Sequence, residues 1–244
     1  MKIILSRKGF DSSLGEVPSP IFPSGELCSL PIPESMPDSC SARYEEIKVG
    51  ERSLGTIVND LTQGKIKGDA RAHLDPDLNS GSIPRQENWK PVFGQAGAAE
   101  SHLQNKGVKE ADVFVFYGWF RQIEQAAGIY RYVKDAPDLH LIFGWLQIER
   151  RISVDNRQEI PSWALDHPHC KRTKCSKIDS IYISSDQMKL SGVVIIDILP
   201  MAEARGFPPS RVGFPASLET GFYGLYPYLL LHRLHRHDFP QALR

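Results

Sequence analysis

Asp112-Val113-Phe114-Val115-Phe116-Tyr117-Gly118-Trp119-Phe120 is aromatic and β-branched almost throughout. A run of that composition, apolar on both faces, predicts a strand at the centre of a sheet. Gly118 gives it a place to bend or to admit another backbone. Further on, Leu139-His140-Leu141-Ile142-Phe143-Gly144-Trp145-Leu146-Gln147-Ile148 repeats the order of apolar, aromatic, glycine and tryptophan. The repeated order predicts two neighbouring strands in a curved sheet, with the glycines at the bends.

Outward from this pair, Ile178–Ile183 and Val193–Ile196 supply two more strands, and Met1–Leu5 predicts a strand that runs straight into a loop at the other end of the chain. Leu54, Ile57, Val58 and Leu61 recur at helical spacing, which predicts a short helix near 52–62. The alanine-rich stretch between Gly94 and Gln104 predicts a second helix, stopped by Gly107. Residues 14–43 carry too many prolines for a helix and read as turns and short extended pieces, with Ser24-Gly25 turning Ile21-Phe22 back onto Leu27–Leu30. Residues 64–92 read as loop. The expected architecture is an α+β domain over residues 1–198, with a curved, mostly antiparallel sheet and a few short helices.

Lysine plus arginine and aspartate plus glutamate each number 29 in 244 residues, so the formal charge is zero and no global basic field draws the chain to nucleic acid. Cys28, Cys40, Cys170 and Cys175 accompany an N-terminus without a secretory leader, which predicts reduced thiols and a cytoplasmic location. No apolar run reaches the roughly 20 residues of a membrane helix, so no membrane association is expected.

The loop after the first strand, Ser6-Arg7-Lys8-Gly9-Phe10-Asp11-Ser12-Ser13, gathers donors and a carboxylate at the end of a rigid element. Arg7 and Lys8 beside Gly9 could bind phosphate, although the glycine spacing of a phosphate loop is absent. His73-Leu74-Asp75-Pro76-Asp77 places three polar groups at alternating positions, on one face of an extended segment. These residues suit a divalent metal, or a general base at His73 oriented by Asp75; the plainer reading is a polar turn. His167-Pro168-His169-Cys170, with Cys175 beyond, offers soft ligands at a spacing that matches no standard zinc knuckle. Trp89, Trp119, Trp145 and Trp163 lie in an aromatic middle third, where Trp119 or Trp145 could stack a base and Gln95 could read its edge; core packing explains most such aromatics. Nucleophile-elbow, dinucleotide-binding and zinc-deaminase signatures are missing.

Taken in order, Ser6–Ser13, Pro18-Ser-Pro-Ile21, Leu30-Pro-Ile-Pro33, His73–Leu78, Phe93-Gly-Gln95, Phe116–Phe120 and Phe143–Gln147 resemble the nucleotide modification associated domain, type 3, over about residues 1–190. That family is associated with DNA base hypermodification, and the resemblance implies a protein that recognises or processes a modified nucleotide. The alternative is a non-catalytic reader of modified bases, or a structural subunit of a modification complex. Nucleic acid or a nucleotide would be its partner, with other DNA-modification proteins around it. By position, the family's polar pattern falls on Arg7, Lys8, Asp11, His73, Asp75, Asp77, Gln95, His167 and His169. In an enzyme, His73, Asp75, Asp77 and Asp11 would carry the chemistry, and Arg7, Lys8, Gln95, Trp119 and Trp145 would bind substrate. His167 and His169 would hold a divalent metal.

The 108–150 region is also similar, more weakly, to PUA-like barrels of the EVE and ASCH type, an analogy of fold alone. Residues 199–244 depart from the family pattern: lysine and asparagine vanish after Lys189, while arginines, prolines and the cluster His232, His235, His237 take over. This segment is expected to be frameshifted or poorly ordered, the rival reading being a genuine basic tail.

Overall fold

The computed structural model describes residues 1–34, 41–171 and 178–187 and the backbone of 195–198. In chain order the elements are β1 (Lys2–Arg7), β2 (Ser19–Ile21), the two-residue strands β3 (Lys48–Val49) and β4 (Arg52–Ser53), α1 (Leu54–Leu61), β5 (Val92–Ala96), α2 (Gly97–Asn105), β6 (Val113–Ala126), β7 (Ile129–Tyr132), β8 (Leu139–Ser153), α3 (Pro168–Lys171), β9 (Asp179–Ser184) and β10 (Ile195–Ile198). The sheet runs β10-β1-β6-β8-β9-β5, with β2 and β7 also paired to β6.

The aromatic segment is the axis of this sheet. β6 pairs antiparallel with β8, Phe114 opposite Leu146 and Val115 opposite Trp145, as the repeated sequence order predicts. Its other edge carries β1 in parallel. β1 in turn carries β10 in parallel, while β8–β9 and β9–β5 are antiparallel. The result is an α+β fold on a mixed, mostly antiparallel sheet. It does not close: β10 and β5 form its two ends, so the described residues make an open sheet and not a PUA-like barrel.

Phe114 and Phe116 face a core with Ile4, Phe93, Leu146 and Tyr182. Beyond them β6 reaches over α1, where Leu54, Ile57, Val58 and Leu61 pack with Phe10, Phe22, Leu30 and Tyr44. One strand thus contributes to three apolar clusters, through Phe114 and Phe116, Phe120 and Ile123, and its 14 residues are long enough to join them. The register slips between Phe116 and Tyr117, beside Gly144. At Gly118 an added Cβ would lie 2.8 Å from the Lys8 carbonyl oxygen, so this glycine lets the loop after β1 lie directly on β6. There the Lys8 N–H donates to the Tyr117 carbonyl at 2.9 Å, fixing the point from which the Lys8 side chain leaves.

α1 falls within the predicted span, and the turn at Ser24-Gly25 forms, with Ile21 bridged to Leu27. The second helix starts at Gly97, not Gly94. Val92 and Phe93 are fully buried and paired with Ile183 and Tyr182, so burial and ladder bonds override the local helix preference as far as Ala96.

Candidate active centre around Asp75

The loop through Asp75 runs beside β5, where the Asp77 and Val92 backbones exchange hydrogen bonds at 2.8 and 2.9 Å. That pairing sets Asp75 against Gly94, whose N–H donates to Asp75 Oδ1 at 2.6 Å. Lys8 comes from the loop after β1, its Nζ 4.4 Å from the centroid of the Phe93 ring, and reaches Asp75 Oδ2 at 3.2 Å. α3 and the residue before it supply His169 and His167. His169 Nε2 lies 3.9 Å from Asp75 Oδ2, and His167 Nε2 lies 3.4 Å from Oδ1 without the alignment of a hydrogen bond. His73 completes the group, its ring 5.3 Å from that of His169.

Two of the imidazoles are fixed from behind by carboxylates. His73 Nδ1 is 3.0 Å from Glu34 Oε2, and His169 Nδ1 is 2.6 Å from Asp179 Oδ1. A carboxylate at Nδ1 holds the proton there and leaves Nε2 as the basic nitrogen. His167 is arranged the other way, its Nδ1 accepting the His169 N–H at 3.4 Å, so its Nε2 carries the proton, near Asp75 but out of line with it.

His73, Asp75, His167 and His169 are buried and Lys8 is partly exposed. Burial by itself would raise the Asp75 carboxyl, but the Lys8 ammonium, His167 and His169 outweigh it and hold Asp75 well below the usual carboxylate range. Burial lowers His167, only partly offset by Asp75, which favours its neutral imidazole. The centre is therefore an ionised carboxylate ringed by imidazoles, one ammonium beside it.

The structure brings Lys8, His73, Asp75, His167 and His169 together and distributes the other candidates elsewhere. Asp77 sits behind Asp75 with both carboxylate oxygens on Arg85, at 2.7 and 2.5 Å; only His73 and Asp75 of that triplet look into the centre. Asp11 caps its own turn, accepting from the Ser13 and Leu14 N–H groups at 2.8 Å each. Gln95 is half-buried on β5, in register with Ser180. Arg7, Trp119 and Trp145 alternate with Ser6, Phe120 and Leu146 along their strands and so belong to the opposite face of the sheet. Cys175 and His232, His235 and His237 lie outside the described residues.

Glu34 and Asp179 escaped the sequence reading. Nothing local marks them, since each meets its histidine only through the fold. The one available signal was composition: several buried imidazoles need carboxylates near them.

The chain is thus an α+β domain on an open mixed sheet, with a polar cluster of His73, Asp75, His167, His169 and Lys8 packed against it. The family model for nucleotide modification associated domain 3 matches residues 2–220, and the chain belongs to that family. The match continues past residue 198 into the segment expected to diverge. Comparison with curated proteins gives no match, and comparison with solved structures gives none. Among the described residues no helix is long and apolar enough to cross a membrane.

Proposed function

We propose that this protein chemically processes a modified nucleotide, free or within DNA, and that the reaction takes place at Asp75. The observation that carries this reading is the pair of oriented dyads, Glu34–His73 and Asp179–His169, converging on one ionised, buried carboxylate. Fixing an imidazole through Nδ1 readies its Nε2 to take a proton or to hold a metal ion, and burial strengthens its effect on a reacting group. Lys8, less buried than Asp75 and able to turn from it, would meet a substrate phosphate or a developing negative charge. The family's association with nucleotide modification supplies the substrate class.

The test is incubation of the protein with free nucleotides and with DNA containing modified bases, followed by mass spectrometry of the nucleosides. Product that disappears in Asp75→Asn and His169→Ala supports the reading. Product unchanged in both variants overturns it.

A second reading, a non-catalytic reader of modified bases, draws on the other sheet face. Trp145 is 41% exposed there, on the same face as Trp119 and Tyr117, which would offer stacking surface. Binding without turnover, lost in Trp145→Ala and kept in Asp75→Asn, would favour it.

A further inference from the structure

We infer that His73, Asp75 and His169 form a binding site for one divalent first-row transition-metal ion, with His167 beside Asp75 but outside the ligand set and Lys8 as the cation that the metal displaces. The inference deepens the reading above and rests on it for the site's role, but metal binding is measurable without turnover.

One ligand atom from each of the three residues lies within 4.8 Å of the others. Ligands at about 2.0–2.2 Å from a common ion stand roughly 3–4 Å apart, so closure asks for a contraction of about 1 Å. The nitrogens are already assigned. Glu34 and Asp179 hold Nδ1 of His73 and His169, leaving Nε2 of each to ligate. A carboxylate behind a ligating histidine fixes its tautomer and raises its basicity, and two such pairs at one point are more than a polar turn needs. Asp75 divides its oxygens. Oδ1 is taken by the Gly94 N–H and faces His167, while Oδ2, 3.9 Å from His169 Nε2, is left to Lys8 or to a metal.

His167 does not enter the ligand set, because its Nδ1 accepts the His169 N–H and its Nε2 therefore carries the proton. The expected metal pair of His167 and His169 thus becomes His73 and His169 with Asp75, two imidazoles and one carboxylate. Such a mixed nitrogen and oxygen set suits manganese, iron, cobalt or zinc better than calcium or magnesium, and leaves coordination positions open. Lys8 is the group that must answer to the ion. Its ammonium, 3.2 Å from Oδ2, balances the carboxylate now and would repel a divalent cation there.

The experiment is titration of chelator-treated, full-length protein with Co²⁺, read by visible absorption and calorimetry. One ion per chain is expected. His73→Ala, His169→Ala and Asp75→Asn should abolish binding. Glu34→Gln and Asp179→Asn, which keep the ligands, should weaken it about 10–100-fold. Lys8→Met should tighten it, a result that loss of folding cannot mimic. Replacing His232, His235 and His237 together by alanine should change nothing. Absence of Co²⁺ binding by the wild type overturns the site, as does binding that survives His73→Ala and His169→Ala. Metal binding with these properties but no nucleotide product would leave the site standing and remove the proposed reaction.

Discussion

The ring of His169 occupies the space where a side chain on Gly94 would begin, its Cδ2 2.2 Å from the position of a Cβ. Both residues touch Asp75, Gly94 through its N–H and His169 through its ring. Gly94→Ala should therefore push the imidazole off Asp179 and cost about 1–3 kcal/mol of stability, the usual penalty for overpacking. Denaturant unfolding measures it; a midpoint equal to that of the wild type would mean that His169 does not sit there.

Arg85 holds Asp77 by two hydrogen bonds, lies 4.2 Å from the Trp89 ring centroid, and also reaches the Asn79 carbonyl and the Ser82 hydroxyl. Burial raises the Asp77 carboxyl, and Arg85 opposes that rise. Arg85→Ala would strand the carboxylate in the interior at a cost of about 3–5 kcal/mol. Lysine cannot reproduce the planar fork, so Arg85→Lys should recover only part of this in the same unfolding assay.

Glu100 is fully buried, with Oε2 accepting from the Tyr182 hydroxyl at 2.7 Å and Oε1 near Gln104 and Arg151. Tyr182→Phe keeps the ring among Phe93 and Phe114 and removes only the donor. The loss should be about 1–3 kcal/mol by thermal or chemical unfolding, since one oxygen of a buried carboxylate goes unserved. A neutral result would argue for a water in place of the hydroxyl.

Burial, reinforced by Glu26, pushes the Cys28 thiol up to about 12, and Cys170 is also buried. At pH 8 roughly one Cys28 in ten thousand would be thiolate, the reactive form. Iodoacetamide should leave both cysteines unmodified in native protein and label them in guanidinium, as peptide mapping will show. Rapid native labelling of Cys28 would contradict its packing.

Strands and helices were legible where burial and period coincide. Phe114 and Phe116 announce β6 and Leu54 to Leu61 announce α1, because what buries them is also what orders them locally. β5 was hidden because Val92 and Phe93 owe their conformation to partners on β9, while the alanines beside them favour helix. The centre was half legible. His73, Asp75, His167 and His169 stand out by residue type, and Lys8 by its place after a strand. Glu34 and Asp179 look like any surface carboxylate, and the division of Arg7 from Lys8 onto opposite faces follows from strand alternation that continues past the end of β1. The segment 1–198 contains every described element, and the family match adds residues up to 220.

β1 lies between β6 and β10, with Ile3 opposite Val113 on one side and Ile196 on the other. Of these strands it leaves the ribosome first, and its neighbours follow long afterwards. The nascent chain must carry an apolar segment with two open edges until most of the domain has been made, which favours late, cooperative assembly over stepwise folding from the N-terminus. Synthesis interrupted before Ile195 would leave one of those edges permanently uncovered, a template for aggregation instead of a smaller domain.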